Sequence, residues 1–125
     1  MMNFKSKVMM QHILETNSHS FEWGKLDCTI WVDNYLKKLK LSIHPYRGQY
    51  STEKQAMRLM LKTPVCEILD RKFKRTFTPE RGDIAMLEKT KAIGICVGQR
   101  VAFKAEHMGV ALHKYSECIS FWRVE

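Results

Sequence analysis

The 125-residue chain is poor in acidic side chains, in proline and in long apolar runs. Its 13 Asp and Glu face 21 Lys and Arg, giving a formal net charge of +8 and a pI near 9.5. That balance excludes an acidic, solvating tail and permits anionic partners without selecting one. No stretch approaches the roughly 18 apolar residues of a membrane span, so no transmembrane helix is expected. Lys5 and Lys7 precede Val8, Met9 and Met10, but the apolar run stops at Gln11. A signal-peptide core is therefore not expected, and folding in a cytosol is. Cysteines stand at 28, 66, 96 and 118, with no C-x-x-C pair, which argues against a zinc ribbon. Four reduced thiols, mostly buried, are expected, with no disulfide, no metal and no cofactor. A four-cysteine metal or iron–sulfur site requires the four to meet in space. Three prolines and six glycines leave no low-complexity linker, and no repeat is visible. The hydrophobic share of 45% and charged share of 27% are those of a globular protein. The whole chain, 1–125, reads as one domain.

The first half, 1–71, has helical texture. Phe4, Val8, Ile13 and Leu14 predict an amphipathic helix over about 4–16 with those residues on its buried face. The eight methionines are expected in the core and on that helix. From Asp27, the series Cys28, Trp31, Val32, Tyr35, Leu36 and Leu39 predicts a second helix, closed by Lys37, Lys38 and Lys40. Pro45 to Tyr50 is a turn-rich connector. Thr52 and Gln55 form a capping-box pair opening a third helix, and a short fourth follows Pro64. The second half, 82–125, reads as strands: Ile84–Leu87, Ala92–Val97, Val101–Lys104, Val110–His113 and Ile119–Val124, with Trp122 expected in the core. The expected class is α+β: N-terminal helices packed on a C-terminal antiparallel five-stranded sheet or small barrel.

The sharpest chemical feature is Phe21-Glu22-Trp23-Gly24-Lys25-Leu26-Asp27-Cys28. It places a cysteine in the first turn of a helix, where free N–H groups and the positive dipole end stabilise a thiolate. A thiolate is a competent nucleophile. The alternative is that Cys28 merely packs on the helix's apolar face. His107, in a turn between strands, and His113, at a strand end, are the candidate bases; His19 is a weaker third. Surface or structural roles remain open for all of them. Arg71-Lys72-Phe73-Lys74-Arg75-Thr76-Phe77 interleaves cations with aromatics. It reads either as a nucleic-acid grip or as a solvated connector whose two phenylalanines fall onto the core.

Trp23-Gly24 followed by Asp27-Cys28 resembles the nucleophile segment of NlpC-type papain-like cysteine peptidases and amidases, which cleave peptides of bacterial cell walls. Pro79-x-x-Gly82-Asp83-Ile84-Ala85-Met86-Leu87 resembles that family's first core strand, and Ala92-Ile93-Gly94-Ile95-Cys96-Val97-Gly98 its second. The chain is more similar still to a group of small phage proteins of this fold, whose genes typically sit among tail genes. The shared elements are Trp-Gly…Asp-Cys, the turn Arg47-Gly48-Gln49-Tyr50, Arg81-Gly82-Asp83, the Gly-Ile-Cys-Val-Gly strand and the terminal Trp122-Arg123-Val124. The resemblance implies Cys28 as nucleophile and Trp23 and Asp27 as binding residues. It also departs from the enzymes. Ala92 stands where the family's general-base histidine opens the second strand. The third polar group falls near Phe103 or Lys104, and Thr29 and Ile30 replace the small residues after the nucleophile.

Three expectations follow. One is a phage tail-associated structural or assembly protein that has lost the full catalytic machinery, made in the host cytoplasm and carried in the virion tail. Another is an active cysteine amidase or endopeptidase on cell-wall peptides. The last is a small basic protein binding a host factor or nucleic acid.

Overall fold

A computed structural model describes residues 3–43, 46, 48–106 and 109–125. Four helices come first: α1 (Phe4–Thr16), α2 (Cys28–Lys38), α3 (Glu53–Lys62) and α4 (Val65–Lys72). Six strands follow: β1 (Lys74–Arg75), β2 (Ile84–Leu87), β3 (Ile93–Cys96), β4 (Val101–Lys104), β5 (Val110–His113) and β6 (Cys118–Arg123). They form one antiparallel sheet in the order β1-β6-β2-β3-β4-β5. The α+β class is as expected. The sheet stays open, and its sixth strand is β1, inside the segment read as a connector. Lys74 and Arg75 pair with Arg123 and Trp122. Phe73 reaches the core as expected, whereas Phe77 is fully exposed, because the chain leaves the sheet at Thr76.

The helix starts follow local chemistry. Asn3, Asp27 and Thr52 each accept a hydrogen bond from the backbone N–H three residues on, capping α1, α2 and α3. In α3 the capping box is altered, since the Gln55 side chain accepts from Ser51 N at 2.8 Å. Helix α2 lies against the sheet. Its Trp31, Val32, Tyr35 and Leu36 are fully buried with Ile84, Ile93, Ile95, Ala102 and Trp122.

Helix α1 is rotated from the face its apolar residues suggested. Phe4 and Leu14 are 70% and 75% exposed, while Ser6, Met9, His12 and Thr16 are buried. Polar anchors set this rotation. The Trp31 indole donates to Thr16 Oγ1 at 2.7 Å, and that hydroxyl donates to His12 O at 2.7 Å. His12 Nε2 lies 2.9 Å from the Trp31 carbonyl, and Lys38 Nζ 2.9 Å from His12 Nδ1. A carbonyl only accepts and an ammonium only donates, so the ring is neutral with its proton on Nε2.

At the other end of α1, Lys5 reaches Asp83, whose carboxylate is fully buried. Lys5 Nζ and Val124 N donate to Oδ1, each at 3.0 Å. Glu80 N and Arg123 Nε donate to Oδ2, each at 2.9 Å. Gly82, just before it, has φ +91°, and a Cβ there would lie 2.7 Å from Tyr35 Oη, so only glycine fits. This is the structural content of Arg81-Gly82-Asp83.

Removing the carboxylate leaves two backbone N–H groups without their acceptor and takes from Lys5 and Arg123 their buried partner, leaving them the half-exposed Glu80 carboxylate. Asp83→Ala is expected to lower stability by about 3–5 kcal/mol. Urea unfolding should show a lower midpoint at unchanged slope; a loss below about 1 kcal/mol would refute the role.

His12 gives a second test. Burial first, then the Lys38 charge, holds its pKa down at about 4, from an ordinary 6.5. The unfolded chain therefore binds the extra proton at a pH where the fold does not. Stability is complete above pH 6.5 and is lost as pH falls toward 4, by about 3 kcal/mol from this group. His12→Gln, which keeps a donor and an acceptor, should flatten that segment of the stability–pH curve; an unchanged slope would count against it.

Candidate functional site

The segment before α2 is shaped by one carboxylate. Glu22 and Leu26 form an isolated bridge, with Leu26 N donating to Glu22 O at 2.7 Å. Within the loop, Gly24 has φ +81°, and a Cβ there would fall 2.1 Å from the Tyr50 carbonyl oxygen. Asp27 is buried. Its Oδ1 accepts from Ile30 N at 3.0 Å, and its Oδ2 accepts from Gly24 N at 3.0 Å and from the Tyr50 hydroxyl. Asp27, expected as a binding residue, here caps α2 and organises the loop before it through these three donors. Trp23 is half-buried on the cluster of Ile30, Tyr46, Tyr50 and Ala56, with its ring edge-on to Phe21 at 4.8 Å.

Cys28 is the first residue of α2, as expected, and is half-buried. The ladder between β3 and β4 runs only over Ile95↔Ala102 and Cys96↔Val101, so Ile93 lies past its end. Its backbone and Thr29 both act on the Cys28 sulfur in favour of the charged form. They are outweighed by burial and then by the Asp27 charge, which push the thiol up to about 11. A helix N-terminus carries about half a unit of positive charge, while Asp27 places a full negative unit in the same turn. At neutral pH Cys28 is a thiol.

No imidazole among the described residues acts on it. His107 lies outside the described residues. His113 pairs with Val101, which pairs with Cys96, so it stands two strands across and three residues along from Ile93. At about 4.8 Å per strand and 3.3 Å per residue that is well over 10 Å. Its ring is edge-on to Phe103, and Nδ1 lies 3.1 Å from Glu117 Oε2. The expected pairing of His113 with Cys28 is thus not formed. His19 is exposed, with its carbonyl accepting from Lys104 Nζ. Both ring nitrogens of His12 are engaged, as described above. Ala92 adjoins Ile93 in sequence but packs on the opposite face of the sheet with Phe103 and Leu87. Lys104, at the position of the third polar group, is buried and also donates to Gly109 O at 3.0 Å, tying the loop after α1 to the β4–β5 turn.

The other cysteines are free. Cys96 is buried, while Cys66 and Cys118 are half-buried. Among the described residues no group of three or more His, Cys, Asp or Glu could hold a metal ion, and no helix is long and apolar enough to cross a membrane.

Sequence reasoning missed two partners of the segment, Tyr50 and the Ile93 backbone. Tyr50 lies 23 residues from Asp27 and carries no local signal of that contact.

The model of a family described as a domain of unknown function, DUF6950, matches residues 4–124, and the chain belongs to that family. No curated protein matches it.

The thiol environment is directly measurable. Alkylation of Cys28, followed peptide by peptide with mass spectrometry, should be at least about tenfold slower at pH 8 than that of a free cysteine with pKa ~8.5. It should still be rising above pH 10. A plateau below pH 8 would contradict this environment.

Proposed function

We propose that this DUF6950 member is a phage tail-associated structural or assembly protein, built on an NlpC-type papain-like scaffold that no longer uses Cys28 as a nucleophile. The observation that carries the reading is the Cys28 thiol, kept protonated beside Asp27 with no imidazole among the described residues acting on it. Nucleophilic cysteine catalysis needs a base to take the thiol proton and an acid to protonate the leaving amine, help typically worth about 10²–10⁴-fold. Placement of Cys28 at the head of α2, against the opening of β3, supports the scaffold likeness, as does the order of helices then antiparallel strands. Ala92, at the base position of the resemblance, faces the other side of the sheet and offers the sulfur no proton acceptor. The motif resemblance to proteins encoded among phage tail genes supports the tail assignment.

The amidase reading draws on the dipole at the α2 N-terminus, and the experiment separates the two. Purified protein incubated with cell-wall peptides should release no product above that of Cys28→Ala. Quantitative mass spectrometry of purified tails should find the polypeptide at a fixed ratio to tail proteins, and Cys28→Ala should assemble normally. Hydrolysis abolished by Cys28→Ala would overturn the proposal, as would tails that lack the polypeptide and assemble normally without it.

A further inference from the structure

We propose that two adjoining depressions along α3 and α4 form a cleft for single-stranded nucleic acid, with Lys62, Arg71 and Lys72 contacting its phosphates. The depressions have volumes of about 410 and 440 Å³ and share Ile43, Ile68 and Arg71. Lys62 lines the first and Lys72 the second, and neither lining includes an acidic residue. Among the described residues no carboxylate lies within 4.0 Å of any of these three cations. Lys5, Lys38, Arg75 and Arg123, by contrast, each have a carboxylate partner. Glu67 is the acid that acts on neighbouring Tyr46, so the local balance remains positive.

A second observation concerns how the cleft is built. Tyr46, in its wall, has φ +47°, a conformation that bulky residues rarely adopt. Its hydroxyl donates to the Thr63 carbonyl at the end of α3, holding Tyr46 to the turn that follows Lys62. Such strain persists where the surroundings over-determine it, and it collects at binding sites.

The ligand class follows from the shape and lining. Two lobes joined at Arg71 suit a chain of successive phosphates better than a single one. Arginine's fork matches phosphate oxygens. Ile43, Leu59 and Ile68 give an apolar floor for sugar and base faces, and Gln49 and Thr63 offer hydrogen-bonding groups to base edges. A duplex keeps its bases stacked inside and does not present them to a concave floor; a single strand does.

The test is fluorescence anisotropy with a labelled oligothymidine, using the full chain. Three phosphate contacts give a slope of about −2 in log K against log salt, so affinity should fall about 20-fold from 50 to 200 mM salt. The triple variant Lys62→Ala, Arg71→Ala, Lys72→Ala should lose most of the binding and flatten that slope. Lys54→Ala with Lys89→Ala should leave both unchanged. The proposal is overturned by absence of binding at 50 mM salt or by a triple variant that binds like the wild type. Equal competition by polyglutamate would assign the cleft to an acidic protein instead. Thymidine triphosphate binding as tightly as the oligonucleotide would assign it to a lone nucleotide.

Discussion

The fold closes on a single buried carboxylate. Asp83 joins residues 78 positions earlier and about 40 later, Lys5 on α1 and Arg123 and Val124 at the end of β6. Burying an ion is costly unless the geometry is good and the remaining lone pairs are satisfied. Here both oxygens have two donors each, two of them cationic. The contact ties α1 and the residues at the end of β6 to the start of β2. Its role is to fix the placement of α1 and the final strand relative to β2. That placement in turn holds β1, which pairs only with β6.

The same principle explains which elements were legible. Helix α2 and strands β2 to β4 bury apolar residues, and hydrophobic periodicity reads apolar burial. Helix α1 has a polar anchor at each end, Lys5 on Asp83 and the Thr16–His12–Trp31 network, and these set its rotation. Periodicity gives no weight to a buried histidine or threonine, so Phe4 and Leu14 looked like core residues and are exposed. Strand β1 was invisible for a related reason. Two cations with exposed side chains carry no period-two signal. What holds them is the edge of β6, the Asp70 carboxylate that receives Arg75 Nε at 2.9 Å, and the Trp122 ring beneath Arg75.

At the candidate site the placement of Cys28 was legible and its electrostatics were not. Helix capping is local: Asp27 in front of an apolar series announces a helix start. The state of the thiol depends on contacts that only the fold creates. Burial first, and then the capping carboxylate, outweigh what Ile93 and Thr29 contribute in favour of the thiolate. The separation of His113 from the Cys28 end of the sheet likewise depends on strand order and register, which local sequence does not report.

These contacts bear on what the Trp-Gly…Asp-Cys element means. Gly24 is needed because a Cβ would collide with the Tyr50 carbonyl, and Asp27 because three donors converge on it. None of those interactions uses the sulfur. The segment would keep its shape whether or not the thiol reacts, so its presence reports the scaffold more than the chemistry. Such a segment can therefore be kept for architectural reasons while the rest of the domain presents a folded surface for binding. In this chain the acidic groups Asp27, Asp70 and Asp83 are all spent on architecture. Among the described residues Lys62, Arg71 and Lys72, at the ends of α3 and α4, have no carboxylate partner, Lys72 meeting only the Ser42 carbonyl, and their charge can be met by an anion outside the protein.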